Sequence, residues 1–377
     1  MSLLKVEDLR THFPITGGLF RKTVGWTKAV DGVTLSVEEG EVLAVVGESG
    51  CGKSTLGNSI LGLTLPTSGR LFLEGQEIDI RKASSWKPFR SDFQIIFQDP
   101  YSSLNPRHTI FEILSEPMRI HGLCDRSNAR QKVTELLDLV GLPASAMDRF
   151  PHAFSGGQRQ RIGIARAVGL RPRLIVCDEV TSALDVSVQA QIIQLLLKLK
   201  AELKLSLVFI THDLSLVRNM SDRVCVMYGG RVMEVARTED LFRNPAHPYT
   251  RALMEAIPSL HPDRRPKLLG GEVPSPSNLP SGCVFHPRCP RAKEDCSQRI
   301  PPLETLDSMD SASSPSMDST SSMTSADVPG SDFAGSLRSE IPGSVRSDSL
   351  TSAEQPDSGG GPRSGSRLVA CFYPEKN

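Results

Sequence analysis

The sequence has no excess of either charge: 43 basic residues stand against 43 acidic ones, for a formal net charge of zero. A balanced chain has no global field to draw it to nucleic acid or to an anionic membrane surface. It also lacks an apolar run long enough to cross a bilayer. The longest, such as LSLVFI and RLIVCDEV, fall far short of the roughly 20 residues a membrane helix needs. The first residues, MSLLKVEDLR, show no basic stretch followed by an apolar one, which predicts no signal peptide. Cysteine is sparse, with eight in 377 residues, and Cys51, Cys124, Cys177 and Cys225 each stand alone among apolar or glycine-rich neighbours. That is not the pattern of a disulfide-stapled secreted domain. Composition therefore predicts a soluble, cytoplasmic chain that reaches a membrane only through a partner.

What is present falls into blocks. Residues 1–258 read as a packed α/β domain, in which β-rich apolar runs (EVLAVVG, SDFQIIF, RLIVCDE, LSLVFITHD, DRVCVMY) alternate with helical patterns such as SVQAQIIQLLLKLKAELKL. That order predicts a largely parallel sheet covered by helices. The segments LLKVEDLR, KAVDGVTLSVEEG and SGRLFLEGQEI alternate apolar and polar residues, and predict a small antiparallel sheet attached to the core. Residues 259–306 turn proline-rich and aromatic-poor. Residues 307–366 are dominated by Ser, Asp, Gly, Pro and Thr. So little apolar content cannot offset the entropy of ordering, which predicts a disordered insert. Order is expected to resume in residues 367–377, at RLVACFYP.

Two motifs in the first block carry chemistry. GESGCGKST (Gly47, Glu48, Ser49, Gly50, Cys51, Gly52, Lys53, Ser54, Thr55) follows the apolar run EVLAVV and precedes a helix-like segment. This is G-x-x-x-x-G-K-[ST] in its strand–loop–helix setting. Its glycines let backbone N–H groups curl around phosphate oxygens, and the helix N-terminus favours negative charge. Lys53 is placed to reach the β- and γ-phosphates and Ser54 to ligate Mg²⁺. RLIVCDE then ends a buried-strand run in two acids. Asp178 could hold Mg²⁺ and Glu179 could polarise an attacking water. Between them FSGGQ (Ser155, Gly156, Gly157, Gln158) offers a hydroxyl and unobstructed N–H groups at a helix start, a second anion site. One nucleotide needs one phosphate loop, so the spare site points to a nucleotide held by another subunit.

On these residues the chain resembles the ATP-binding subunits of ABC transporters, over nearly all of residues 1–258. FSGGQ is similar to the family signature, with Phe154 in place of the commoner Leu. Gln98 in IIFQDP matches the Q-loop, residues 182–185 (SALD) match the D-loop, and His212 in FITHD matches the switch histidine. The resemblance implies the ABC-type P-loop ATPase fold, with a parallel core, an antiparallel β subdomain and a helical subdomain. It also implies Mg²⁺-dependent ATP hydrolysis, with Ser54, Gln98 and Asp178 around the metal and Glu179, His212 and Gln98 in the catalytic roles. The signature would close on the ATP of a partner subunit. The adenine-stacking aromatic stays open between Phe13, Phe20 and Trp26, because THFPITGGLFRKTVGW is lengthened.

FQDPYSSLNPR, NPAHPYTRALMEAIPSL and LPSGCVFHPRCPRA resemble peptide-importer ATPases, and the last is like the C-terminal module of oligopeptide and dipeptide importers, which some nickel importers share. This implies a peripheral subunit at the cytoplasmic face of the inner membrane. Its expected partners are a second ATPase subunit (identical or not), two permeases and, indirectly, an extracytoplasmic peptide-binding protein, with no nucleic acid. The rival is a soluble ABC ATPase of DNA repair or translation. Such proteins usually show two cassettes, a long coiled coil or a basic surface, whereas this sequence shows one cassette, no heptad run and zero net charge.

The second block crowds Cys283, Cys289 and Cys296 into one basic segment, and Cys371 beyond the insert is the expected fourth thiol. Closing a long loop costs only about 0.6 kcal/mol per doubling of length, so separation along the chain is no objection. The spacings C-x₅-C and C-x₆-C are looser than those of zinc ribbons. Four thiolates suit a [4Fe–4S] cluster, which the resemblance to this tail also implies. Zinc and uncoordinated thiols are the alternatives.

Overall fold

Alternation of buried and exposed positions, broken at bulges, produces a long antiparallel hairpin at the start of the chain, β1 (Ser2–Gly17) and β2 (Lys22–Glu38). In the computed structural model, which describes residues 2–18, 20–257, 269–306 and 366–374, several bulges interrupt its register. β3 (Val42–Val46) has no polar face at all, and every residue is buried, as befits the middle of a parallel sheet. It runs into α1 (Lys53–Ile60). β4 (Ser68–Leu73) and β5 (Gln76–Ile78) return to the hairpin and complete an antiparallel sheet of order β2-β1-β4-β5.

β6 (Phe93–Ile96) leads into the helices α2 (Ile110–Ile120), α3 (Ala129–Leu139) and α4 (Gly156–Val168). β7 (Leu174–Asp178), α5 (Val186–Leu203), β8 (Ser206–Thr211), α6 (Leu214–Met220) and β9 (Arg223–Tyr228) then alternate as the apolar runs predict. β10 (Arg231–Arg237) folds back on β9, followed by α7 (Thr238–Arg243), α8 (Pro248–Glu255) and, further on, the short α9 (Glu294–Gln298). The strand pairs β9-β3, β3-β8, β8-β7 and β7-β6 are all parallel. Two short strands, β11 (Glu304–Thr305) and β12 (Leu368–Val369), extend the same sheet past β10, giving the order β11-β12-β10-β9-β3-β8-β7-β6. The chain beyond the serine-rich stretch thus returns to the edge of the ATPase sheet rather than packing apart from it. Of the expected insert, residues 307–365 lie outside the described residues.

Three apolar cores hold these layers. The helices α2 to α5 pack on one face of the sheet through Ile96, Cys177 and Phe209. The antiparallel sheet covers the other face, with Leu56 and Ile60 of α1 between. The third core joins Ala44, Val46, Val226 and Tyr228 of the sheet to Tyr249 of α8 and to Cys283, Val284, Phe285 and Cys296. The cysteine-bearing segment therefore shares a core with the strand that feeds the phosphate loop. Among the described residues no helix is long and apolar enough to cross a membrane.

Candidate active site

The phosphate loop is shaped by close backbone contacts. Gly47 sits at φ 154°, and a Cβ there would stand 2.2 Å from the Met227 carbonyl oxygen. Gly52 sits at φ 101°, and its Cβ would stand 2.0 Å from the Ala29 carbonyl oxygen. β9 and β2 thus crowd the loop from two sides and only glycine fits. Ser49, Gly50 and Ser54 form its open mouth, while Gly47 and Cys51 are buried and Thr55 is half-buried in the first turn of α1. The buried Lys53 ammonium donates to the carbonyls of Gly47 at 2.9 Å and Glu48 at 3.0 Å, so its charge is held over the loop.

The strand ends bring the other groups to this mouth. Ser54 Oγ donates to Asp178 Oδ1 at 2.9 Å, joining the first turn of α1 to the end of β7. Both are hard oxygen donors of the kind Mg²⁺ takes. Burial pushes the Asp178 carboxyl above its ordinary value and the adjacent Glu179 adds to this, against the Ser54 hydrogen bond and the Lys53 charge. A cation at this place reverses that balance. Glu179 has φ 46°, a left-handed backbone unusual for a residue with a Cβ, and its N–H donates to the Ile210 carbonyl at 3.0 Å. Strained backbone of this kind collects at functional sites. The Glu179 carboxylate accepts from Gln98 Nε2 at 3.1 Å and lies 3.3 Å from His212 Nδ1. Gln98 also donates to Ser182 Oγ at 3.3 Å, which brings the D-loop serine into the cluster. Four separate chain segments meet here.

Ser155 caps α4 reciprocally with Gln158: the Gln158 N–H donates to Ser155 Oγ at 3.4 Å, and the Ser155 N–H to Gln158 Oε1 at 3.1 Å. Gly156 and Gly157 fill the first turn, and a Cβ on Gly157 would meet Val188 at 2.5 Å. These four residues spend their hydrogen bonds on their own helix start and not on the phosphate loop of the same chain. The next residue, Arg159, stacks its guanidinium on Tyr101 at 3.8 Å, tying the signature helix to the segment after Gln98.

Among the adenine-stacking candidates, Phe13 faces Thr27 across the hairpin and Trp26 faces Pro14. Directly opposed residues share a face and consecutive ones do not, so Phe13 and Trp26 point to opposite sides. Phe20, 83% exposed, lies at the turn.

Cys283, Cys289, Cys296 and Cys371 line one small apolar pocket with Phe285 and Tyr373. Burial, helped by the three other cysteines and opposed by a hydrogen bond from the Tyr373 N–H, pushes the Cys371 thiol up to about 12. The donor chemistry and the shared pocket fit a thiolate-bound metal centre. The expected ligand geometry is not there: among the described residues no three His, Cys, Asp or Glu side chains are placed to hold a metal ion. Thiolates held this close repel one another unless a cation lies between them.

Sequence reasoning did not single out Arg288 or Tyr249, both of which touch Glu48 in the phosphate loop. Neither belongs to a motif with phosphate chemistry, and only the packing of α8 and the cysteine-bearing segment against β9 brings them there.

Comparison with known proteins matches this architecture in two parts. Residues 30–182 match the family model described as ABC transporter, and residues 233–296 match that described as Oligopeptide/dipeptide transporter, C-terminal region. The oligopeptide transport ATP-binding protein OppF of Salmonella typhimurium is 52% identical over 309 residues, covering 80% of this chain and 92% of the relative. AppF of Bacillus subtilis, also an oligopeptide transport ATP-binding protein, is 50% identical over 305 residues, covering 80% and 93%. The dipeptide transport ATP-binding protein DppF of Escherichia coli is 47% identical over 304 residues, covering 80% and 91%. Among solved structures, cbiO1 of Clostridium perfringens superposes with a TM-score of 0.55 at 28% identity, covering 64% of this chain and 91% of that one. A dimeric ATP-binding cassette in a post-hydrolysis state, bound to ADP and Pi, gives 0.56 at 28% identity, covering 62% and 98%. By fold, site and similarity, the chain belongs to the ABC transporter ATP-binding proteins of the oligopeptide/dipeptide type.

Proposed function

We propose that the site assembled at residues 47–55, 98, 178, 179 and 212 hydrolyses ATP to power peptide import through a membrane ABC transporter. The observation that carries this reading is the convergence of Gln98 and His212 on Glu179, within 3.3 Å, beside the Ser54–Asp178 pair. The N–H groups of the phosphate loop and the Lys53 ammonium hold the triphosphate. Ser54 and Asp178, with Gln98, would hold Mg²⁺, which when bound neutralises charge on the β- and γ-phosphate oxygens. Glu179 orients the attacking water and takes up its proton, while His212 steadies the γ-phosphate against it. Ser155 and its glycines present N–H groups to the ATP of a second subunit, so that closure of the pair depends on nucleotide. One of Phe13, Phe20 and Trp26 stacks on the adenine.

The fuller assembly proposed is a pair of ATPase subunits beneath two permeases at the cytoplasmic face of the inner membrane, with an extracytoplasmic protein delivering peptide. In domain terms, residues 1–258 form the ATPase, 259–306 and 367–377 the peptide-importer tail, and 307–366 an insert. The four tail cysteines would hold a [4Fe–4S] cluster, or zinc, as a staple for a segment poor in apolar residues.

The test is a reconstituted transporter loaded with labelled oligopeptides and dipeptides. Uptake that requires Mg·ATP and this chain supports the reading, and ATP hydrolysis with no peptide uptake overturns the peptide assignment. Anaerobically purified chain should carry about four iron and four sulfide, lost on Cys289→Ser. One zinc keeps the site without the cluster, and no metal removes both.

A further inference from the structure

Glu48 is out of place in a loop whose work is to hold phosphate. It puts a carboxylate between Gly47 and Ser49, where Lys53 and the start of α1 concentrate positive potential. Left alone, it would repel a triphosphate on the same loop. The guanidinium of Arg288, whose side chain is only 5% exposed, meets it with two prongs, Nη1 at 2.7 Å from Oε2 and Nη2 at 3.1 Å from Oε1. The fork is fixed in turn: Nη1 donates to the Tyr228 hydroxyl at 3.2 Å and Nε to the Gly270 carbonyl at 3.0 Å. The Glu48 N–H donates to the Tyr249 hydroxyl at 3.0 Å, so its backbone is held from the same side. Across the loop, the Lys28 N–H donates to the Pro276 carbonyl at 2.9 Å, one residue before the Ala29 carbonyl that bounds Gly52. The tail therefore brackets the phosphate loop on both sides.

We propose that Arg288 is a positioning residue of the ATP site. By neutralising Glu48 it lets the phosphate loop accept a triphosphate, so that nucleotide affinity depends on the cysteine-bearing tail. The proposal deepens the ATP-site reading and rests on it. The pair joins residues 240 positions apart, and Arg288 directly precedes Cys289, so whatever orders the cysteine segment also presents the arginine. The tail is then part of the machinery that binds ATP.

The experiment uses the full-length chain, with ATP binding measured by a fluorescent ATP analogue with Mg²⁺, and kcat and KM in the assembled transporter. Binding by the parent chain is the control: its failure sinks the ATP-site reading itself, separately from this proposal. Arg288→Ala is expected to raise Kd and KM for ATP about tenfold while kcat stays within about twofold. Removing the carboxylate as well, in Glu48→Gln/Arg288→Ala, is expected to bring Kd back to within about threefold of the parent. A residue that served only tail architecture gives no such rescue, since the double variant lacks the ion pair too. Arg288→Gln, which keeps a donor but not the charge, is measured alongside in case Arg288→Ala does not fold. If neither single variant folds, a folded double variant with parent-like Kd supports the proposal. A folded Arg288→Ala chain with parent-like Kd, or a double variant as weak as the single, overturns it. Failure of all three to fold also overturns it, by assigning Arg288 to the architecture of the tail.

Discussion

The ATP site and the cysteine-bearing tail sit against the same strands but are built by opposite means. The ATP site is held by backbone: glycines at φ values no other residue tolerates, carbonyls 2.0 to 2.2 Å from where a Cβ would be, and functional side chains on the ends of buried strands. The tail has only short helices and two-residue strands among its described residues, and is held by side chains reaching back into the ATPase domain. Its anchors are Arg288 on Glu48, Arg367 on Glu234, and Phe285 among Tyr228, Tyr249 and His247. Backbone-built sites survive changes of side chain nearby and lose one chemical function at a time. Side-chain-built segments lose order when a single anchor goes.

The sharpest break between the two should come at Glu179. Glu179→Gln keeps the size of the side chain and hydrogen-bonding capacity toward Gln98 and His212, and the phosphate loop does not depend on it. ATP binding is expected to stay near normal while turnover falls by a factor of about 10² to 10⁴, the range for loss of a general base. The check is single-turnover hydrolysis beside equilibrium ATP binding, with the partner subunit present. Parallel loss of binding and turnover would mean that the site is not preorganised by its backbone, and the comparison fails on that side.

How much of this could be read from the sequence follows the same division. Phosphate chemistry demands contiguous residues at fixed spacing, so Lys53, Ser54, Asp178 and Glu179 could be named from GESGCGKST and RLIVCDE alone. Their strands were legible because a short valine-rich apolar run between glycines, as in Val42–Val46, reads as a strand covered on both faces. The bulges of the first hairpin left no such signal, and with the parity of its strands unreadable the adenine candidates could not be separated. Arg288 and its pairing with Glu48 were illegible for a different reason. Each is an ordinary charged residue, and their pairing depends on where a proline-rich chain with no periodicity returns. β12 is two residues long, too short for any alternation to show.

A medium-sized effect is expected at the tail's other anchor. Glu234 is fully buried and accepts from the N–H groups of Ala246 at 3.1 Å and His247 at 2.8 Å, and from Arg367 Nη2 at 2.6 Å and Nε at 2.9 Å. Arg367→Ala strands that carboxylate beside two amide groups, and breaking a pair of this kind costs about 3 kcal/mol. It also frees the segment that enters β12. Compared with the parent, the variant should gain cleavage within residues 366–374 in limited proteolysis, and the melting temperature should fall, with ATP turnover retained at permissive temperature. Glu234→Gln in the same chain should recover part of the loss. If melting is unchanged, the tail is not held by its side-chain anchors.

The smallest effect is expected between the two parts of the tail. Residues 307–366 are rich in Ser, Asp and Gly and poor in apolar residues, with no motif for phosphate, metal or a partner strand. What the tail needs from this stretch is the return of Arg367 and Cys371 to their places, and a short flexible linker supplies that as well, because closure entropy changes by only about 0.6 kcal/mol per doubling of length. Shortening the stretch therefore favours the docked tail slightly, if it changes anything. A chain with residues 307–365 replaced by a Gly/Ser linker of about fifteen residues is expected to keep the parent KM for ATP, kcat and assembly with permeases, and to melt within about a degree or two of the parent. The linker has to span from β11 to β12, which pair directly through Glu304 with Val369 and Thr305 with Leu368, so its ends lie close together. A fall in folded protein, or a rise in KM like that expected of Arg288→Ala, would show that the insert itself holds the tail against the phosphate loop.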